Sequence, residues 1–147
     1  MDKEGFKVVR GLDSLVLKLR VIGNKVVRVD GDYIIAIDSR NKYRIYTLDS
    51  INNKVNISKG YDYIEYTKYK NYYIVKDNDM YGIVKGINDL RVDIVYDYLG
   101  ITVINSRGDL NILAKADVLY GVLDKRGDVV IPFYYRDIEV YKVCTGY

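Results

Sequence analysis

Residues 80–101 return at 119–140 without a gap. Met80-Tyr81-Gly82-Ile83-Val84 reappears as Leu119-Tyr120-Gly121-Val122-Leu123, and Tyr96-Asp97-Tyr98-Leu99 as Tyr135-Arg136-Asp137-Ile138. Gly82 to Gly121 and Tyr96 to Tyr135 are each thirty-nine residues apart. Such an echo names an architecture, tandem copies of one supersecondary unit, and not a reaction. A looser copy precedes the two, with Tyr43-Arg44-Ile45-Tyr46 in the Tyr-Gly slot and Tyr61-Asp62-Tyr63-Ile64 in the tyrosine block. Its blocks are eighteen residues apart instead of fifteen, which a three-residue insertion near Ile51-Asn52-Asn53 explains. That point reads as a turn, where insertions are tolerated. Arg107-Gly108-Asp109-Leu110 and Arg126-Gly127-Asp128-Val129 stand nineteen residues apart, close to half the period, so each unit reads as two hairpins.

Within the units the apolar spacing has a period of two, the mark of strands. Leu15 to Val21 alternates with Leu17, Leu19 and Val21 on one side and Lys18 and Arg20 on the other, and is expected to be a strand. Tyr33–Ile37, Tyr43–Leu48, Tyr72–Lys76, Leu110–Leu113 and Asp128–Phe133 read similarly. Gly23-Asn24, Asp30-Gly31-Asp32, Asn52-Asn53, Asp77-Asn78-Asp79 and Arg126-Gly127 punctuate them with residues that accept positive φ or bond their own backbone. Pro132 has no amide to give a ladder, which sends its segment to a sheet edge or a strand end. The expected fold is all-β: antiparallel hairpin repeats in a meander, a barrel or a propeller-like array. The chain reads as a single domain over 1–147, with units at 33–66, 72–105 and 110–143 after basic N-terminal strands over 1–30.

The last unit, Leu119 through Ile138, resembles the bacterial WG-containing repeat, whose core runs approximately Trp-Gly-Ile-Ile-Asp, a Lys-Gly turn, Val-Ile-Pro and Tyr-Asp. Leu119-Tyr120-Gly121-Val122-Leu123-Asp124, Arg126-Gly127, Val130-Ile131-Pro132 and Tyr135 carry the likeness, with Tyr81 and Tyr120 standing where the family has tryptophan. The resemblance implies tandem β-hairpins with a binding or scaffolding role. It implies no catalytic set.

Composition removes several function classes. The sequence contains no histidine, so serine-histidine and cysteine-histidine mechanisms and the common zinc sites lack their central residue. Cys144 is the only cysteine, which rules out an intramolecular disulfide. Asp77-Asn78-Asp79-Met80-Tyr81-Gly82 resembles half a calcium loop, but its fifth position is Tyr81 and no bidentate glutamate follows, so a hairpin turn is expected. The Arg-Gly-Asp tripeptides occupy turn slots and read as turns, not adhesion motifs. We expect no enzyme activity and no cofactor. The N-terminus, Met1-Asp2-Lys3-Glu4-Gly5, lacks the apolar stretch of a secretory signal, and no run approaches a membrane helix. A cytoplasmic, non-membrane protein is expected, monomer or dimer. The richness in Ile, Asn, Lys and Tyr suits an AT-rich genome, a virus or mobile element included.

With 17 tyrosines against two phenylalanines, the chain favours rings that bury a face while keeping a hydroxyl bonded. They are densest from Tyr61 to Tyr73, interleaved with Lys68 and Lys70. Tyr63, Tyr66, Lys68, Tyr69 and Lys70 are the candidate binding residues. Tyrosine is a favoured anchor in protein interfaces, so a protein partner is expected. The alternatives are single-stranded nucleic acid, by base stacking with lysines on phosphates, and carbohydrate on an aromatic face. The net charge of +3, all contributed by residues 1–30, does not by itself select nucleic acid.

Overall fold

The computed structural model describes residues 11–49, 51–103 and 110–136. The first ten residues, the Arg-Gly-Asp tripeptide at 107–109, and the stretch 137–147 with Cys144 and the expected end of the third unit lie outside them. Among the described residues one helix, α1 (Leu12–Val21), precedes twelve strands. The first sheet holds β1 (Lys25–Asp30), β2 (Tyr33–Ile37), β3 (Tyr43–Asp49) and β4 (Lys54–Ile57). The second holds β5 (Tyr63–Tyr66), β6 (Tyr72–Asp77), β7 (Met80–Lys85) and β8 (Asp89–Tyr96). The third holds β9 (Tyr98–Val103), β10 (Leu110–Ala116), β11 (Leu119–Asp124) and β12 (Val129–Tyr135). Each sheet is an antiparallel meander in chain order, and none closes into a barrel. The all-β expectation therefore holds, as an open array.

The echo has a structural meaning: its two blocks are cross-strand partners. Tyr81 pairs with Tyr96, Tyr120 with Tyr135, and Tyr43 with Tyr61 through an isolated bridge. The next residue then steps into the following sheet. Asp62 N–H donates to the Lys76 carbonyl at 2.9 Å, and Asp97 N–H to the Lys115 carbonyl at 2.8 Å. Tyr-Asp-Tyr is thus a strap that ends one meander and begins the next. For this reason each sheet opens one strand before the unit starts expected at 33, 72 and 110. The three extra residues of the first copy fall between Tyr43 and Lys54, in a longer β3 and its turn.

The sheets stack face to face. Ile35 and Ile45 of the first meet Ile64, Tyr73, Val75 and Val84 of the second. On the second sheet's other face, Ile74, Ile83 and Val92 meet Leu99, Ile112, Ala114 and Leu123 of the third. Strands buried on both faces lose their polar alternation, so Ile34-Ile35-Ala36 and Tyr73-Ile74-Val75 read as unbroken apolar runs. The remaining face of the first sheet, with Ile34, Ala36 and Tyr46, is covered by Leu15 and Leu19 of α1. On this face the helix occupies the place that a neighbouring sheet has on the other.

Residues 15–21, expected as a basic strand, are helical. Alternation was the wrong period: Leu12, Leu15, Val16 and Leu19 fall at i, i+3, i+4 and i+7, and these are the residues packed on the first sheet. Leu17 and Val21, on the supposed apolar side, are 63% and 77% exposed. Leu, Lys and Arg are also better helix formers than strand formers. Gly23, at φ 95°, closes the helix, with its N–H on the Arg20 carbonyl and Asn24 N–H on the Leu19 carbonyl, a Schellman arrangement. Asp77–Gly82 forms the β6–β7 hairpin, with Asn78 and Asp79 both at positive φ as a type I′ turn requires.

Candidate functional site

The repeat allows positions in successive junctions to be compared. Ile35, Ile74 and Leu113 are equivalent, one period apart, and their partners on the edge strands are Arg28, Glu65 and Gly100. One residue further along the same edges lie Val29, Tyr66 and Ile101. At the first junction, Arg28 reaches from β1 to β5 and sets its guanidinium 3.5 Å from the centroid of the Tyr66 ring. That stack closes the edge. At the second junction, the same two positions hold Glu65 and Ile101, which form no such pair.

A cleft of about 320 Å³ opens there, between edge strands β5 and β9. Its floor is Ile74, Leu99 and Ile101, and its walls carry Glu65, Tyr66, Lys68, Tyr69, Tyr81 and Tyr98. The β5–β6 turn projects Lys68 and Tyr69 over it. Thr67, 9% exposed, fixes that turn: its hydroxyl bonds the Tyr72 carbonyl and accepts the Tyr69 N–H, and Asn71 adopts φ 71°. A ring at Tyr69 is therefore presented by a bonded turn, which limits the entropy lost on binding.

The cleft is mixed in character. Lys68 Nζ lies 5.7 Å from the Tyr69 ring centroid and Lys76 Nζ 5.4 Å from that of Tyr81. Glu65 is exposed, and among the described residues it forms no ion pair. Tyr98, 45% exposed, lies over Gly100, where a Cβ would come within 2.7 Å of its hydroxyl. Glycine at 100 leaves room for that ring, which also meets Tyr120 edge-on at 6.4 Å.

Of the five residues singled out from sequence, Tyr66, Lys68 and Tyr69 line the cleft. Tyr63 does not; its ring meets Tyr43 edge-on at 5.1 Å, on the strap between the first two sheets. Lys70 is exposed in the turn, outside the lining. Tyr66 also packs against the first core cluster, so it has a structural role besides. Glu65, Tyr81, Tyr98 and Ile101 were not singled out. The signal for Glu65 was present in the copies themselves, as an acid at a position where the preceding unit has arginine.

A broader cleft of about 630 Å³ lies at the first junction, lined among others by Tyr33, Thr47, Asn56, Lys85 and Asn88. No family profile, curated protein or solved structure matches the chain.

Proposed function

We propose that the chain is a non-enzymatic interaction module that binds another protein at the cleft between β5 and β9. The observation that carries this reading is a difference at equivalent edge positions: at the first junction they are covered by Arg28 on Tyr66, at the second they hold Glu65 and Ile101, beside Lys68 and Tyr69. Aromatic side chains held over a partly apolar recess are the usual anchors of protein recognition. The absence of histidine and the resemblance of residues 119–138 to a β-repeat family support a binding role over a catalytic one.

Lys68→Ala with Tyr69→Ala tests it. Both side chains are outside the core clusters, and the turn is held by Thr67 and backbone groups. Affinity capture from extracts of the encoding organism, after nuclease treatment, should lose the wild-type partner while the melting temperature stays within about 2 °C. Undiminished capture would defeat the reading. Loss of capture on nuclease treatment alone would move the function to nucleic acid, with a steep salt dependence as its second sign.

A further inference from the structure

The fold itself shows what sits well against these tyrosines. Six cation-on-tyrosine contacts occur among the described residues, and the closest, Arg28 on Tyr66, is the one that seals a junction. At the second junction the position of that arginine holds Glu65, a carboxylate without an ion-pair partner among the described residues, in a cleft lined also by Tyr69 and Tyr81. We propose that this cleft seats an arginine side chain of the bound protein, filling from outside the place that Arg28 fills from within at the first junction.

This rests on the protein-binding reading above and adds the chemistry of the partner. The apolar floor of Ile74, Leu99 and Ile101 suits the methylene stem of arginine, the phenol rings suit its planar cation, and Glu65 supplies the opposite charge. An anionic side chain would instead be set against Glu65, with Lys68 on the cleft wall and Lys76, already 3.8 Å from Asp79, beside Tyr81. Lys68 opposes an incoming arginine, but it is exposed and therefore screened by salt.

The test uses the full chain and fluorescently labelled hexa-arginine, hexa-citrulline and hexa-glutamate peptides in polarisation titrations at 0.15 M salt. Citrulline keeps the shape of arginine without its charge. Hexa-arginine should bind at least about tenfold tighter than hexa-citrulline, the scale of one charge-assisted contact. Glu65→Gln should remove about that factor, Lys68→Ala should leave binding equal or tighter, and Asp93→Asn, at an exposed acid away from the cleft, should change nothing. Equal affinity of Glu65→Gln and wild type overturns the proposal, as does tighter binding of hexa-glutamate that Lys68→Ala abolishes. In the second case the cleft still binds peptide, so the protein-binding reading survives while the arginine assignment fails. No binding of any peptide, with capture of a partner still sensitive to Lys68→Ala and Tyr69→Ala, overturns the arginine assignment alone.

Discussion

Single residues explain why the echo is spelled as it is. The repeated glycine stands where the next strand bulges across it: a Cβ at Gly121 would lie 2.7 Å from Phe133 Cδ1 and 2.8 Å from the Ile131 carbonyl, and one at Gly82 2.6 Å from Ile94 Cγ1. The carbonyls of Ile131 and, 2.7 Å from a Cβ at Gly82, Val92 are backbone atoms and do not yield as a flexible side chain would. Gly121→Ala should therefore cost about 1–3 kcal/mol in urea denaturation. The tyrosines and turn acids set the pH limits. Burial holds the hydroxyls of Tyr46, Tyr61, Tyr73 and Tyr96 above their ordinary range, and for Tyr73 a hydrogen bond to Asp30 at 2.6 Å adds to it. A raised folded value means that this stability is complete below the unfolded tyrosine value and is lost as pH rises past about 10. Asp38, Asp49 and Asp62 shift the other way, lowered chiefly by side-chain hydrogen bonds from Arg44, Asn52 and Lys42. Their stabilisation is present above the unfolded carboxylate value and lost as pH falls through the lower folded values. The urea midpoint measured against pH should thus be level from about 6 to 9 and fall on both sides.

At the scale of elements, the strands were legible because Val, Ile and Tyr runs broken by Asn, Asp and Gly leave few other structures open. The helix was hidden by Leu19, which belongs to both a two-residue and a helical pattern, while Leu17 fits only the first. The residues that decide between them, Leu15 and Leu19, are fully buried, a fact that belongs to tertiary packing. Leu19→Ala should cost about 2–5 kcal/mol, whereas Leu17→Ala, at 63% exposure, should change stability by no more than about 0.5 kcal/mol. Equal costs in the two variants, measured by urea denaturation, would contradict the helical assignment. The strap was legible as sequence and illegible as structure: Tyr-Asp-Tyr was seen to recur, but that Asp62 and Asp97 cross between sheets depends on pairings eighteen and fifteen residues away.

At the scale of the molecule, three equivalent meanders among the described residues give two junctions built by the same rule, and they diverge at one edge. The candidate strip from Tyr63 to Lys70 named part of that edge, since tyrosine and lysine density is visible in sequence. The ring of Tyr81 and the floor residues Leu99 and Ile101 come from β7 and β9, which only stacking brings near β5. Copying the first junction onto the second puts the central claim to its most direct test. Glu65→Arg with Ile101→Tyr reproduces the Arg28–Tyr66 stack at the open edge. Partners captured by this double variant and by wild type would be quantified by mass spectrometry after nuclease treatment, with the melting temperature measured alongside. A folded variant at or above the wild-type melting temperature that no longer captures the partner is the expected result, and undiminished capture by that folded variant would contradict the claim that the open junction is where this protein binds.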